Sequence, residues 1–349
     1  MNKRNCVRII AAILCAAMLA PAAGSALAQT APSGAVRQLT ADQERFYGEH
    51  LGYTGTSVNW SVGGEYKVNA NVDYASGNLY LGIRNPLRDF TLAYNSQDEG
   101  ATNFSNGVTS SYHQTILPVA DVSGDFMIYT KGDGNKMYLD KRIDEEGAIW
   151  WDWFMQQPNG ELYQDGFPYN IFDAQGSIRQ IRIPWLSYLE LMQISRDPLG
   201  NVIGTSAHFD TSPEQESKRV ELDYDRFGES ARSVELRYDE FGALKSKILF
   251  RYDQRGNLRD LMLLDDRENL LAGYHFEYED LSSRVAQVAD VQTGEQISYR
   301  YTLLDGRYKV SFMQKTDAAG NLLDQTQFAY GNGQTVIIDK NGNTTVKTY

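Results

Sequence analysis

The chain is poor in cysteine: it has two among 349 residues, Cys6 and Cys15, and both lie near the amino terminus. If export removes the segment that carries them, the remaining chain has no disulfide, no thiol nucleophile and no thiolate metal site. Its stability then rests on the burial of apolar side chains and on strand pairing.

The chain also lacks an apolar run of the ~20 residues that a helix needs to cross a bilayer. Residues 9–20 form a shorter run, preceded by basic residues and followed by the small-x-small sequence Ala26-Leu27-Ala28. This order is typical of a secretory signal, so residues 1–28 are predicted to be cleaved and the protein to be periplasmic or extracellular. A short membrane anchor is the alternative.

Basic residues are outnumbered, since 33 Lys and Arg face 45 Asp and Glu, for a net charge of -12. Loss of the basic signal would move the charge of the mature chain to about -15. Such a chain repels phosphate polymers and anionic lipid surfaces, which argues against nucleic acid as a partner. We expect a protein or a cell-envelope glycan as partner, and no transmembrane helix in the mature chain.

Helical periodicity is scarce. Thr40-Ala41-Asp42-Gln43 has the spacing of a capping box and predicts a short helix, which follows a flexible lead. Residues 184–195 fit a helix or a buried strand equally well. Elsewhere, from residue 53 onward, apolar and polar residues alternate between glycine turns, which predicts a chain of hairpins.

The turns share the phrase Asp-x-x-Gly. Aspartate at the first position accepts hydrogen bonds from backbone N–H groups two or three residues on, and glycine at the fourth adopts positive φ without a steric penalty. The structural turn residues predicted in this way include Asp225, Gly228, Asp239, Gly242, Asp253, Gly256, Asp317 and Gly320.

The parity of apolar positions predicts the register. Between residues 222 and 264 apolar side chains fall mainly on even numbers, and a glycine bulge at each turn keeps them on one face. The bulge pairs Tyr238 with Leu244, Val234 with Ile248, Tyr252 with Leu258 and Ile248 with Met262. The two-residue turn Asp305-Gly306 switches parity and pairs Leu303 with Tyr308, Tyr301 with Val310 and Tyr299 with Phe312.

The nine residues FRYDQRGNL at 250–258 resemble the YD repeat of Rhs and teneurin-type proteins, whose core is aromatic-x-Tyr-Asp-x-x-Gly-x-Leu. Residues 222–258 carry the resemblance well, and residues 144–349 carry it loosely. In that family the repeats form long hairpins that spiral into a β-shell. The resemblance implies a secreted or surface-exposed β-repeat protein with an interaction or structural role.

Motifs for catalysis or metal binding are missing. The histidines His50, His113, His208 and His275 are isolated, and neither H-E-x-x-H nor G-x-S-x-G occurs. The turn that begins at Asp339 has oxygen ligands at alternate positions but lacks the glycine and closing glutamate of an EF-hand. We therefore expect no catalytic residue, no metal and no cofactor.

The segment Ile149-Trp150-Trp151-Asp152-Trp153-Phe154 is the best candidate for a ligand-binding surface, through Trp150, Trp151 and Trp153. In a single strand, Trp150, Asp152 and Phe154 would share one face, and Trp151 and Trp153 the other. Packing between sheet layers, sugar stacking, and glycoside hydrolysis with the preceding carboxylates at 144–146 are three interpretations of this segment.

Together these patterns predict an all-β fold: an antiparallel β-meander of long hairpins with YD-like repeats, curled or packed as two layers, after a short N-terminal helix. The predicted organisation is a signal peptide at 1–28, a flexible lead and helix at 29–52, a mixed β region at 53–204 and a repeat region at 219–349.

The predicted function is a binding or structural role without catalysis. A carbohydrate-binding or glycan-cleaving protein centred on Trp150–Phe154 is the alternative. An outer-membrane β-barrel is a further alternative because alternation also suits lipid outside and water inside, although Lys347, Thr345 and Asn343 are polar where an insertion signal would be apolar.

Overall fold

The computed structural model describes residues 57–64, 66–84, 91–97, 105, 107–118, 126–165, 169–184, 189–198, 201–209, 212–224, 232–239 and 241–349. The predicted signal peptide, flexible lead and short helix lie outside these residues. All regular structure within them is β-strand, which confirms the all-β prediction. No helix in the described ranges is long and apolar enough to cross a membrane.

The described residues form twenty-six strands, and all the strand pairs are antiparallel and join neighbours in the chain, with a break between the fifth and sixth strands. The first five form one sheet: β1 (Ser57–Val62), β2 (Val68–Asp73), β3 (Leu79–Arg84), β4 (Thr91–Asn95) and β5 (Val108–Ser110). The next nine are β6 (Thr115–Pro118), β7 (Phe126–Thr130), β8 (Lys136–Ile143), β9 (Ile149–Trp151), β10 (Phe154–Gln156), β11 (Leu162–Gln164), β12 (Tyr169–Phe172), β13 (Ile178–Pro184) and β14 (Leu189–Arg196).

The remaining strands continue the same ladder. They are β15 (Val202–Phe209), β16 (Ser212–Tyr224), β17 (Arg232–Asp239), β18 (Leu244–Tyr252), β19 (Leu258–Asp265), β20 (Leu270–Tyr278), β21 (Val285–Asp290), β22 (Gln296–Leu304), β23 (Arg307–Thr316), β24 (Leu322–Gly331), β25 (Gln334–Asp339) and β26 (Thr344–Thr348). Residues 184–195, for which helix and strand were equally good predictions, contribute β14 and the end of β13.

The register near each turn follows the predicted bulge. Tyr238 pairs with Leu244, Tyr252 with Leu258, Leu303 with Tyr308 and Tyr301 with Val310, all as predicted. Asp305 and Gly306 both have positive φ (53° and 77°), as a two-residue hairpin of primed type requires.

Farther from the turn three predicted pairs are wrong by one residue. Val234 pairs with Leu249, Ile248 with Leu263 and Tyr299 with Met313. The cause is a further bulge, at which the strand register skips one residue. It lies one pair beyond the turn at Lys245 and Arg259, and four pairs beyond the Asp305-Gly306 turn at Ser311.

Among the described hairpins of the ladder, seven have the bulge one pair beyond the turn. It moves Leu261 and Leu263 onto the face of Phe250 and Ile248, where all four side chains are buried. Because each bulge increases the local right-handed twist, the series favours a strongly coiled sheet.

Buried side chains of the five-stranded sheet and of the long ladder form one common core. One continuous cluster of buried side chains includes residues of β1–β5 and of β18–β24. Lys315 Nζ also donates to Ser61 O at 2.9 Å, and Thr335 Oγ1 donates to Tyr74 O at 2.6 Å.

Three strands of the ladder bind the smaller sheet through their main chain, at positions that we call the docking seam: Leu258 of β19, Val285 of β21 and Val310 of β23. Their N–H groups donate to Ser105 Oγ, Tyr94 Oη and Gly77 O at 2.9, 3.0 and 3.0 Å. From β19 to β23, every second strand of the ladder thus donates one main-chain hydrogen bond to the smaller sheet or its loops.

Tyrosine hydroxyls complete the seam. The carbonyl oxygens of Leu258, Val285 and Val310 accept hydrogen bonds from Tyr278, Tyr301 and Tyr330 of the following strands, at 2.7, 2.8 and 2.7 Å. Burial raises the pKa of all three phenols above the ordinary range, so they remain hydrogen-bond donors. These three tyrosines therefore contribute to the interior of the protein.

Candidate binding surface

The tryptophan segment forms a hairpin, so the prediction of one strand through residues 149–154 was wrong. β9 ends at Trp151, the chain reverses at Asp152-Trp153, and Phe154 pairs back with Trp151. Asp152 has a positive φ of 52°, and its carboxylate accepts a hydrogen bond from Asp140 N–H at 3.0 Å. This reversal separates the three tryptophans into an inner, an outer and a turn position.

Trp151 lies on the inner side. It is 5% exposed, and its indole N–H donates to Gln156 Oε1 at 3.0 Å. Phe154 beside it meets Tyr129 and Phe172 edge to face, with ring centroids 5.2 and 5.6 Å away. Burial raises the pKa of Tyr129 to about 12. Trp151 thus lies in an aromatic core.

Trp150 lies on the outer side, where strand pairing extends it into an aromatic row. Trp150 pairs with Met155, and Met155 pairs with Tyr163, so the three side chains share one face across β9, β10 and β11. We call Trp150, Met155 and Tyr163 the outer row; all three are half-buried.

Two arginines flank the outer row. Arg142 of β8 pairs with Trp150 and places its guanidinium carbon 4.9 Å from a ring centroid. At the other end, the guanidinium carbon of Arg182 lies 5.8 Å from the Tyr163 ring centroid. Both distances fall within the range of cation–π attraction.

The sequence pointed to Trp150 but not to Met155, Tyr163 or Arg182. A usable signal was present: a turn at Pro158-Asn159-Gly160 places Gln156 opposite Leu162, as the structure shows, and therefore Met155 opposite Tyr163. Trp153, in the turn, packs partly buried against the core, with its ring 5.8 Å from that of Phe154.

The carboxylate of Asp144 is bound into its own turn. Its Oδ1 accepts from the N–H groups of Glu146 and Ala148 at 3.1 and 2.8 Å, and its Oδ2 accepts from the Trp150 indole at 2.8 Å. The indole bond is the main cause that lowers the pKa of Asp144. A carboxylate held ionised in this way is a poor general acid.

The repeat turns show the same chemistry. Asp253 Oδ1 accepts from Arg255 N–H and Asn257 N–H at 2.8 and 2.9 Å, and Gly256 N–H donates to Asp253 O. Asp317 and Gly320 repeat this geometry. The second donor lies four residues beyond the aspartate, because the bulge places one more residue in the loop. Gly242 has a φ of 73°; Asp225, Gly228 and the Asp239 side chain lie outside what the structure describes.

Among the described residues, no group of three or more His, Asp or Glu side chains could hold a metal ion. The turn at Asp339 has its carboxylate engaged by Asn341 N–H, Asn343 N–H and the Asn343 side-chain amide. On the outside of β19 and β20, His275 Nδ1 lies 2.6 Å from Asp260 Oδ1. Among the described residues, no serine or cysteine side chain is hydrogen-bonded to His275 or Asp260.

His113 is half-buried beside the fully buried Ser110, with Nδ1 and Oγ 2.7 Å apart. Burial is the main cause that lowers its pKa to about 3, and the positive charge of Arg196 adds to the effect. Ser110 is fully buried, so this pair is part of the core.

His113 should make the protein sensitive to acid. Its folded-state pKa lies below its unfolded value of ~6.5, so its contribution to stability is complete above pH ~6.5 and is lost as pH falls toward 3. We expect about 3 kcal/mol of lost unfolding free energy at pH ~4. Urea unfolding of wild type and His113→Asn between pH 7.5 and 4 checks this: the gap between the two should close with acid, and parallel curves would contradict the assignment.

Comparison with known proteins gives only distant relationships. No family model and no curated protein matches the chain. Among solved structures, a porin-like protein from Bacteroides vulgatus ATCC 8482 shares 11% identity over 56% of this chain and 94% of its own, with a TM-score of 0.25.

The complex TcdB2-TccC3-TEV shares 11% identity over 77% of this chain, with a TM-score of 0.21, and the Photorhabdus luminescens Tc holotoxin pore shares 11% over 81%, with a TM-score of 0.15. The chain spans about a fifth of the length of these Tc chains, since the coverages are 17% and 21%.

Proposed function

We propose that the protein is an exported β-repeat protein that acts by binding a partner at its outer face, without catalysis. The observation that supports this most is the division of aromatic residues between the two faces. Tyr278, Tyr301 and Tyr330 are hydrogen-bonded in the docking seam, whereas the outer row is only half-buried.

The sequence supports the same proposal. The secretory pattern of residues 1–28 provides export, and the YD-like phrase at 250–258 suggests a protein of the secreted or surface-exposed repeat class. The division into a mixed region at 53–204 and a repeat region at 219–349 belongs to this proposal. Carbohydrate binding at the tryptophan hairpin is the second candidate, and Trp150 in the outer row is the observation that favours it.

Export can be tested directly. When the full chain is expressed with a C-terminal tag in a Gram-negative bacterium, we expect a mature protein outside the cytoplasm whose first residue is Gln29, measured by mass spectrometry of the purified chain. Ala28→Tyr should block processing because the cleavage site needs a small residue. An unprocessed wild-type chain in the cytoplasm would refute the export part of the proposal.

A further inference from the structure

We propose that the outer row and its two arginines form a binding site for an acidic glycan, a linear polymer of carboxylate-bearing sugars. This inference rests on the proposed binding function and gives the chemical class of the ligand. It draws on three features of the surface: the spacing of the rings, the state of the arginines and the neutralisation of nearby carboxylates.

The spacing of the row suits a stiff polymer of rings. Trp150 and Tyr163 lie on β9 and β11, two strand spacings apart, which is about 10 Å. Met155 lies between them and fills the surface with a polarisable apolar side chain. Two flat aromatic side chains at this separation can stack on alternate sugar rings of an extended chain, while the edges of the rings remain in water.

The two arginines would give the site a preference for a negatively charged ligand. Within the part of the chain that the structure describes, neither Arg142 nor Arg182 forms an ion pair, although Arg142 acts electrostatically on Asp152. Arg182 uses its Nε to donate to Gln180 Oε1 at 2.9 Å. Guanidinium groups bind carboxylates through paired, charge-assisted hydrogen bonds, so each end of the row can hold one sugar carboxylate.

The carboxylates beside the row are largely compensated. Glu161 is paired with Arg179 at 2.7 Å, and it accepts a hydrogen bond from the Tyr163 hydroxyl at 3.2 Å. Asp144 has three donors, one of which is the Trp150 indole. Glu145 and Glu146 lie in the turn that joins β8 to β9, beyond the last pair of these strands, Ile143 and Ile149.

A polyphosphate is a poorer fit than an acidic glycan. Nucleic-acid binding draws most of its affinity from many basic contacts to closely spaced phosphates. Two arginines at the ends of a short row, on a chain whose net charge is -12, do not supply them. Widely spaced carboxylates on a stacking polymer require only two such contacts.

The probe for the test is hexagalacturonate, with its fully methyl-esterified form as the matched neutral chain. Isothermal titration of the purified protein should show binding of the acid and at least about 10-fold weaker binding of the ester, because the ester loses both charge-assisted contacts. Binding should also weaken as salt is raised. Equal affinity for acid and ester would overturn the inference, and so would equally tight binding of single-stranded DNA.

The variants Arg142→Gln and Trp150→Ala should each weaken hexagalacturonate binding by about 10- to 100-fold. Arg300→Gln is the matched control, since Arg300 also lies over an aromatic ring, 5.0 Å from the Phe312 centroid, but far from the row in the strand order. Its affinity should equal that of wild type. Far-UV circular dichroism and urea midpoints establish that each variant is folded before titration, and folded Arg142→Gln and Trp150→Ala with wild-type affinity would overturn the site.

Failure of the inference can be distinguished from failure of the proposed function. If hexagalacturonate does not bind, the acidic-glycan site is refuted. The proposed function, binding of a partner at the outer face, is not refuted by that result. Mass spectrometry of the same mixtures after long incubation covers the other case. Shortened oligosaccharides would refute the non-catalytic proposal, while the affinities of the variants would still test the site.

Discussion

Replacement of Gly176 by alanine should lower the free energy of unfolding by about 3–5 kcal/mol, whereas the same replacement at Gly256 should cost only about 1–2 kcal/mol. Both glycines close an Asp-x-x-Gly turn, and their φ angles are 81° and 84°. The left-handed backbone therefore imposes the same penalty on alanine at both sites.

The surroundings of the two glycines differ. A bridge between Thr115 and Ser177 brings β6 against the turn of Gly176, whose carbonyl accepts Ile116 N–H at 2.7 Å. A Cβ on Gly176 would collide with the carbonyl oxygen of Ile116, which is backbone and cannot rotate away. A Cβ on Gly256 would meet nothing within 4 Å. Overpacking thus adds its cost at Gly176 alone.

Urea unfolding of the two alanine variants, followed by circular dichroism, measures the difference. If Gly176→Ala is recovered only as aggregate while Gly256→Ala folds, that result also agrees with a larger loss of stability at Gly176 than at Gly256. Equal losses at both sites would mean that the bridge between β6 and the Gly176 turn does not form in solution.

The second large effect is expected at Tyr94 in the docking seam. Its hydroxyl donates to Ser283 O and accepts from Val285 N–H, each at 3.0 Å, and the side chain is 4% exposed. Tyr94→Phe leaves the buried Val285 N–H and the partly buried Ser283 carbonyl without this partner, at about 1–3 kcal/mol for each group that stays buried. We expect a loss of about 2–4 kcal/mol in total.

Tyr308→Phe is the control for this change. Tyr308 is 40% exposed, and its ring lies under Arg284, with the guanidinium carbon 3.7 Å from the centroid. Loss of its hydroxyl should change stability by less than about 0.5 kcal/mol, as is usual at surface positions. Thermal and urea denaturation of both variants give the comparison. A Tyr94→Phe protein as stable as Tyr308→Phe would show that the seam contributes little.

The sequence predicted the fold class and the pairing next to the turns because both depend on local chemistry. Asp253 and Gly256 define their turn through bonds within five residues, and alternation defines the face. The further bulge was not predictable in this way. Arg259 looks like any outward residue, and in the run Leu261-Met262-Leu263-Leu264 either parity supplies an apolar face.

The tryptophan hairpin escaped prediction for a related reason. Its turn residues are Asp152 and Trp153, with no glycine to mark the reversal, and Asp152 adopts the positive φ itself. Of the five residues of the candidate site, only Trp150 was predicted from the sequence, and Met155, Tyr163, Arg142 and Arg182 came only from the structure. The docking seam was hidden as well, since Val285 and Tyr94 are 191 residues apart and one of the two bonded groups is main chain.

The docking seam has a consequence for the order in which the chain folds. Its three links join residues 153, 191 and 233 positions apart, the last being Val310 and Gly77, and Thr335 reaches Tyr74 over 261 positions. In a chain made from its amino terminus, β1–β5 are complete long before β19, β21 and β23 are synthesised. Until then the apolar face of the small sheet is exposed to water. Contacts of such long range form slowly, and uncovered apolar sheets aggregate. Biogenesis of this protein should therefore depend on a chaperone that shields the first sheet until the last third of the chain arrives.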